Sequence, residues 1–320
     1  MAGCIGHFKR REIEADQWKM GEADTMRQNR RQILITVSVL LLTFSPAWAE
    51  ICKGPKVPKT DLAQYDAQVA LSLADQATAL QTHLPYGQPS CPKLLPQQEY
   101  ILCFDPVNRI ALWAAYKLTA EDVVTAQRLD AFRTDPRLTE DENAHCDDYA
   151  GTGYARGHAV PRDDMNRSPA AQANTFFLSN MSPQVNAFNG GIWSRLERLV
   201  RDYAKQYDAV YVITGSVLQE PVQHLPSGRV AIPSRFYKVL VRTAASGTPD
   251  VLAIVLPHLP FTPGPEANTA QKRSKAADAY LAAHTVSLME IEHLTGMDLL
   301  PNLNAESLKK AVASKLWPRN

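Results

Sequence analysis

Asn189, Trp193, Glu197 and Arg201 follow one another at intervals of four residues, a short distance downstream of Tyr154-Ala155-Arg156-Gly157-His158-Ala159-Val160-Pro161. Four residues of α-helix turn through about 400°, so each member of the series drifts only about 40° from the one before. An amide, an indole, a carboxylate and a guanidinium then share one broad stripe. Gly190 and Gly191 permit a tight backbone path, which predicts Asn189 at the mouth of the helix. An amide oxygen, a nearby carboxylate and an imidazole are the groups that a hard divalent cation and a water-activating base require. The same spacing also describes a surface helix with Trp193 in the core.

The N-terminal 49 residues read as a separate matter. Arg27, Arg30 and Arg31 precede the apolar run from Ile33 to Phe44, and Ala47-Trp48-Ala49 offers small residues at a cleavage site. Charged, apolar and cleavable regions in that order predict a secretory signal over 26–49. The polar residues 1–25 before Met26 read as an upstream extension from a misassigned start. A dozen or so apolar residues fall short of the roughly 20 that span a bilayer, and an uncleaved N-terminal anchor is the competing reading. The expectation is an exported chain, periplasmic or extracellular, with residues 50–320 as one domain and no stable membrane insertion after cleavage.

Residues 1–49 hold seven Lys/Arg and five Asp/Glu, so the totals of 34 and 33 fall to 27 and 28 in the remainder, a net charge of −1. That excludes a global basic footprint. Any polyanion site must be a local cluster of arginines. Cys52, Cys91, Cys103 and Cys146 also remain. An even number of cysteines in an exported chain predicts two disulfides among three connectivities. The expected pairs are Cys52–Cys91 and Cys103–Cys146. A zinc site is the weaker alternative, because no C-x-x-C spacing occurs and His145-Cys146-Asp147-Asp148 reads as a polar loop.

Residues 61–82 carry apolar positions at helical spacing. Tyr100–Phe104 and Ile110–Leu118 read as a hairpin across the turn Asp105-Pro106-Val107-Asn108. Val210–Gly215, Phe236–Arg242 and Val251–Leu256 are further strands; Ala270–Ala283 and Thr285–Thr295 are helical. Strands and helices mix without strict alternation. This predicts an α+β fold with a central, mostly antiparallel sheet flanked by helices.

Three linked blocks carry a resemblance. Ala155-Arg156-Gly157-His158 is followed by Thr175-Phe176-Phe177-Leu178-Ser179-Asn180-Met181-Ser182-Pro183-Gln184, then by Phe188-Asn189-Gly190-Gly191-Ile192-Trp193-Ser194-Arg195-Leu196-Glu197. In order and spacing they resemble the DNA/RNA non-specific endonuclease family of ββα-metal nucleases. That family shows Asp-Arg-Gly-His, Thr-Phe…Asn…Pro-Gln and Phe-Asn-x-Gly-x-Trp-x-x-Leu-Glu. Weaker likenesses extend from about residue 98 to 305, ending on Glu290-Ile291-Glu292-His293-Leu294-Thr295-Gly296. One position departs from the family: Ala155 stands where its motif has Asp.

The resemblance implies a ββα-metal active-site motif and cleavage of DNA and RNA by a hydrated Mg²⁺, with Mn²⁺ as a substitute. His158 would be the general base and Asn189 the metal ligand. Glu197 would hold metal-bound water, Arg156 and Arg201 would clamp phosphate, and Asn180 would position the base or the substrate. Each has an ordinary structural alternative: a helix N-cap for Asn189, a solvated carboxylate for Glu197, an ion pair for Arg201, a turn for Asn180. Ala155 keeps open a catalytically weakened nucleic-acid-binding homologue, and a phosphodiesterase acting on small phosphoesters is the remaining alternative.

Overall fold

The computed structural model describes residues 49–313 and 315–319. The expected signal segment and upstream extension lie outside the described residues, apart from Ala49. In chain order the strands are β1 (Lys93–Pro96), β2 (Ile101–Asp105), β3 (Ile110–Leu118), β4 (Tyr154–His158), β5 (Met181–Val185), β6 (Val210–Val217), β7 (Gln223–His224), β8 (Ala231–Ile232), β9 (Arg235–Thr243), β10 (Pro249–Pro257) and β11 (Thr285–Val286). Seven of them form one sheet in the order β1-β2-β3-β6-β9-β10-β11, antiparallel at every pairing. The α+β expectation holds.

Side chains alternate across this sheet, and each face has its own core. On β3, Ala114, Tyr116 and Leu118 point to one face and Trp113 and Ala115 to the other. On β10, Leu252, Ile254 and Leu256 join the first core, Ala253 and Val255 the second. Burial on both faces explains why the strands read as nearly continuous apolar runs rather than a polar–apolar alternation. Leu196, Leu199, Val200, Tyr203 and Ala204 of helix α5 (Ser194–Gln206) cover the first face. The second is covered by helices α2 (Leu73–His83) and α7 (Leu288–Thr295).

Two helical expectations are refined. Residues 61–82 divide into α1 (Lys59–Ala67) and α2, because the Ser72 hydroxyl accepts from Asp75 N–H and starts a new helix. Thr285–Thr295 is likewise not one helix. Thr285 and Val286 pair with β10, and Ser287 caps α7.

The disulfide pairing is corrected. All four cysteines are bonded, but as Cys52–Cys146 and Cys91–Cys103. Cys103 lies on β2, whose antiparallel neighbour β1 begins two residues after Cys91, and the two Cα atoms stand 5.6 Å apart. Cys52 is tied to the middle of the chain, its N–H donating to Phe132 O, and meets Cys146 with Cα atoms 5.4 Å apart. Both pairings follow from long-range packing that spacing does not encode.

Candidate active site

Beside the large sheet, β4 and β5 form an antiparallel ribbon with Ala155 opposite Gln184, Gly157 opposite Ser182 and His158 opposite Met181. β5 leads into a helical turn, α4 (Asn186–Phe188), then a π-turn over Asn189–Trp193, then α5. Asn189 is therefore not an N-cap: its backbone is already helical and it sits one turn inside. The wide turn follows from Gly191, whose φ of −100° and ψ of −110° leave the helical region.

Alternation along β4 puts Arg156 and His158 on one face. Both meet the same aromatic group: the Arg156 guanidinium lies 5.0 Å and the His158 ring 5.9 Å from the Phe132 ring centre. Phe176 packs edge-on against His158 at 5.0 Å. Ala155 and Gly157 project to the opposite face, where Gln184 lies so close that a Cβ on Gly157 would fall 2.2 Å from its Cδ. Only glycine fits there. The position where the family carries Asp thus faces away from the imidazole.

Within His158, Nε2 is closed off from solvent and has no partner among the described residues, which leaves Nδ1 as the more accessible ring nitrogen. Burial pushes the imidazole down to about 3, helped by the positive charges of Arg128 and Arg162. His158, Ser182, Ser216 and Trp193 line one crevice. Trp193, the last residue of the π-turn, thus meets the ribbon at that crevice.

Trp193 is buried, with Lys238 Nζ 4.7 Å from its ring centre. Lys238 is itself fully buried and donates to Thr214 Oγ1 at 3.0 Å. Glu197 is half-buried and has no hydrogen-bond or ion-pair partner among the described residues. Burial pushes its carboxyl up to about 7, against the pull of Lys238. Arg201 donates from Nη1 to Asp164 Oδ1 at 2.7 Å, and Asp164 also accepts from the Tyr116 hydroxyl at 2.7 Å. Arg156 differs. It is half-buried, donates to Cys146 O at 3.0 Å and has no carboxylate partner among the described residues.

Asn180 is fully buried, and its amide is spent on backbone. Oδ1 accepts from Val160 N–H at 3.0 Å, while Nδ2 donates to Val160 O at 3.0 Å and to Thr175 O at 2.8 Å. It clamps the segment that follows His158 rather than facing a ligand. Phe132, Asp164 and Lys238 were not singled out as site residues in the sequence. Phe132 and Lys238 come from segments distant in sequence, whereas Asp164 lies only six residues after His158; none carries a local motif.

Among the described residues no cluster of three or more His, Cys, Asp or Glu could hold a metal ion. The donors available are Asn189, whose side chain has no hydrogen-bond partner among the described residues, and the Glu197 carboxylate, which could orient metal-bound water. One hard amide oxygen with a carboxylate to orient water suits a cation that keeps most of its waters, and the set fits Mg²⁺ better than zinc.

A model of the DNA/RNA non-specific endonuclease family matches residues 79–306. This chain belongs to that family. Human mitochondrial endonuclease G is 31% identical over 246 residues, covering 71% of this chain and 77% of the relative. A nuclease of a Nostoc strain is 28% identical over 264 residues, covering 76% and 89%. In a crystal structure of the EndoG/EndoGI complex, one chain superposes with a TM-score of 0.62 at 26% identity, over 72% of this chain and 95% of that one. The non-specific endonuclease family thus accounts for the ribbon, the turn and the sheet behind them, and this member is a nucleic-acid hydrolase.

Proposed function

We propose that the chain is an exported, Mg²⁺-dependent endonuclease that hydrolyses phosphodiester bonds of DNA and RNA without sugar or sequence preference. What supports this reading is membership of the nuclease family together with an imidazole on β4 that is neutral at working pH and oxygen donors at Asn189 and Glu197 that have no partner among the described residues. His158 Nδ1 takes a proton from water, and the water oxygen bonds to phosphorus as the bond to the 3′ oxygen breaks and that oxygen takes up a proton from solvent. The products are a 5′ phosphate and a 3′ hydroxyl. Held by Asn189 and by waters that Glu197 orients, a divalent cation when bound would neutralise charge on the phosphate and on the leaving oxygen.

Arg156 clamps the phosphate, since a half-buried guanidinium without a counter-ion gains most from an incoming anion. Arg201 keeps donors beyond the one given to Asp164 and acts from the second rank. Asn180 positions His158 by fixing the backbone after it. Contacts to phosphate carry affinity with little sequence information, which suits a non-specific enzyme. Two disulfides support an oxidising compartment and hence export.

The test is cleavage of plasmid DNA and of RNA by the mature chain, with and without EDTA. Cleavage is expected with Mg²⁺ or Mn²⁺ and lost on chelation. His158→Ala should lower the rate by about 10²–10⁴ with unchanged thermal melting. Undiminished cleavage in EDTA overturns the metal reading.

A further inference from the structure

A groove runs from Gly190 and Gly191, immediately after Asn189, between the first turns of α5 and helix α6 (Ala270–Ala283). Arg195, Arg198 and Arg273 line it, and no Asp or Glu does. Arg195 is already neutralised: it pairs with Asp278 at 2.6 Å, and Arg319 shares that carboxylate. The other two are not. Among the described residues, exposed Arg198 donates only to Ser194 Oγ at 2.8 Å, and exposed Arg273 has no acidic partner. The first two turns of α6 add Lys272 and Lys275, with no acidic residue before Asp278. In a chain whose charges otherwise nearly cancel, this is a local concentration of free positive charge. Half-buried Phe261 gives the groove an apolar wall, and the side-chain-free stretch at Gly190 and Gly191 leaves room for a polymer backbone to pass.

We propose that this groove is an extended substrate subsite that holds the nucleic-acid strand beyond the cleaved bond, with Arg198 and Arg273 each contacting a backbone phosphate. The proposal rests on the nuclease reading of the neighbouring centre. Adjacency to Asn189 favours a strand over a separate acidic partner, because a strand placed at the catalytic centre must leave it, and this neighbouring groove has no Asp or Glu in its lining among the described residues. Each phosphate neutralised releases counterions, so binding through the groove is salt-dependent.

The experiment uses the mature chain carrying His158→Ala, so that bound strands survive. Fluorescence anisotropy measures the affinity for single strands of about four and about twelve nucleotides, a range that brackets typical site sizes, across about 50–200 mM salt. The longer strand is expected to bind more tightly. Adding R198E and R273E should remove most of that gain and lower the salt slope by about 1–2, at roughly 0.7 per phosphate contact. R198K with R273K should keep both. An unchanged slope and an unchanged length effect in the reversal variant overturn the proposal. So does displacement of the strand by polyglutamate of matched length at equal concentration, which assigns the groove to an acidic polypeptide. Cleavage by the parent chain is measured separately. If it fails while the charge-dependent length effect persists, the subsite stands and the catalytic reading falls.

Discussion

His158 and Glu197 have environments that displace their protonation in opposite directions, the pattern expected where acid and base roles are divided. The imidazole is held at about 3, so it is already a free base through the neutral range and does not set an acid limb near its ordinary value. The carboxyl, raised to about 7 by burial, does. Activity should fall as pH drops through about 7, when Glu197 takes up a proton. A kcat/KM profile on the parent chain checks this, and the limb should vanish from the residual activity of Glu197→Gln. A limb retained in that variant assigns it elsewhere. Asp135 illustrates a charge used for structure. Burial alone would raise its carboxyl, but Arg137 and the Ser179 hydroxyl, which donates at 2.7 Å, hold it below the usual range. Its stabilisation is complete above the unfolded value of about 3.9 and is lost as pH falls through the lower folded value. Asp135→Asn leaves a half-buried Arg137 without its counter-ion and should cost about 2–4 kcal/mol at neutral pH. Urea titration should show the deficit shrinking below about pH 4. An equal deficit at pH 3 would remove the charge explanation.

The β4–β5 ribbon and the π-turn are the elements that aim the chemistry, and they were legible to different degrees. Arg156-Gly157-His158 announced itself through its company of motifs. That Gly157 is required by Gln184, one of its cross-ribbon neighbours, depends on strand register, which local sequence does not specify. Gly157→Ala should overpack the ribbon at a cost of about 1–3 kcal/mol. Adding Gln184→Ala should return most of that loss in thermal melting, and failure of the second change to rescue the first would point to backbone strain instead. The four-residue series correctly placed Glu197 and Arg201 on one helix, α5, with Trp193 at its start. It did not anticipate that the chain widens to a π-turn at Gly191, moving Asn189 one turn inside the helix. Asn180 was equally ambiguous: a turn residue by type and a cleft residue by resemblance, it proves to be a buried backbone clamp.

At the level of the whole molecule, the Cys52–Cys146 bridge closes a separation of 94 residues and Cys91–Cys103 one of 12. Chain entropy alone gives the longer loop the larger effect, about 4–5 against about 3 kcal/mol. Cys146 also supplies the carbonyl that receives Arg156, so removing its bridge loosens a group beside His158. Replacing Cys52 and Cys146 with alanine should therefore lower Tm more than replacing Cys91 and Cys103, and should raise KM for DNA as well. Equal losses of stability with unchanged KM would show that the bridge plays no part in the site. The apolar runs, the turn at Asp105–Asn108 and the three linked motifs determined the strands, the α+β class and the family, because periodicity and short-range spacing are written along the chain. Tertiary structure alone decided the cysteine partners, the Tyr116–Asp164–Arg201 chain, the buried Lys238 and the Phe132 wall shared by Arg156 and His158. Those contacts join residues up to 94 positions apart, and they form only when the packed sheet brings its two cores and the ribbon together.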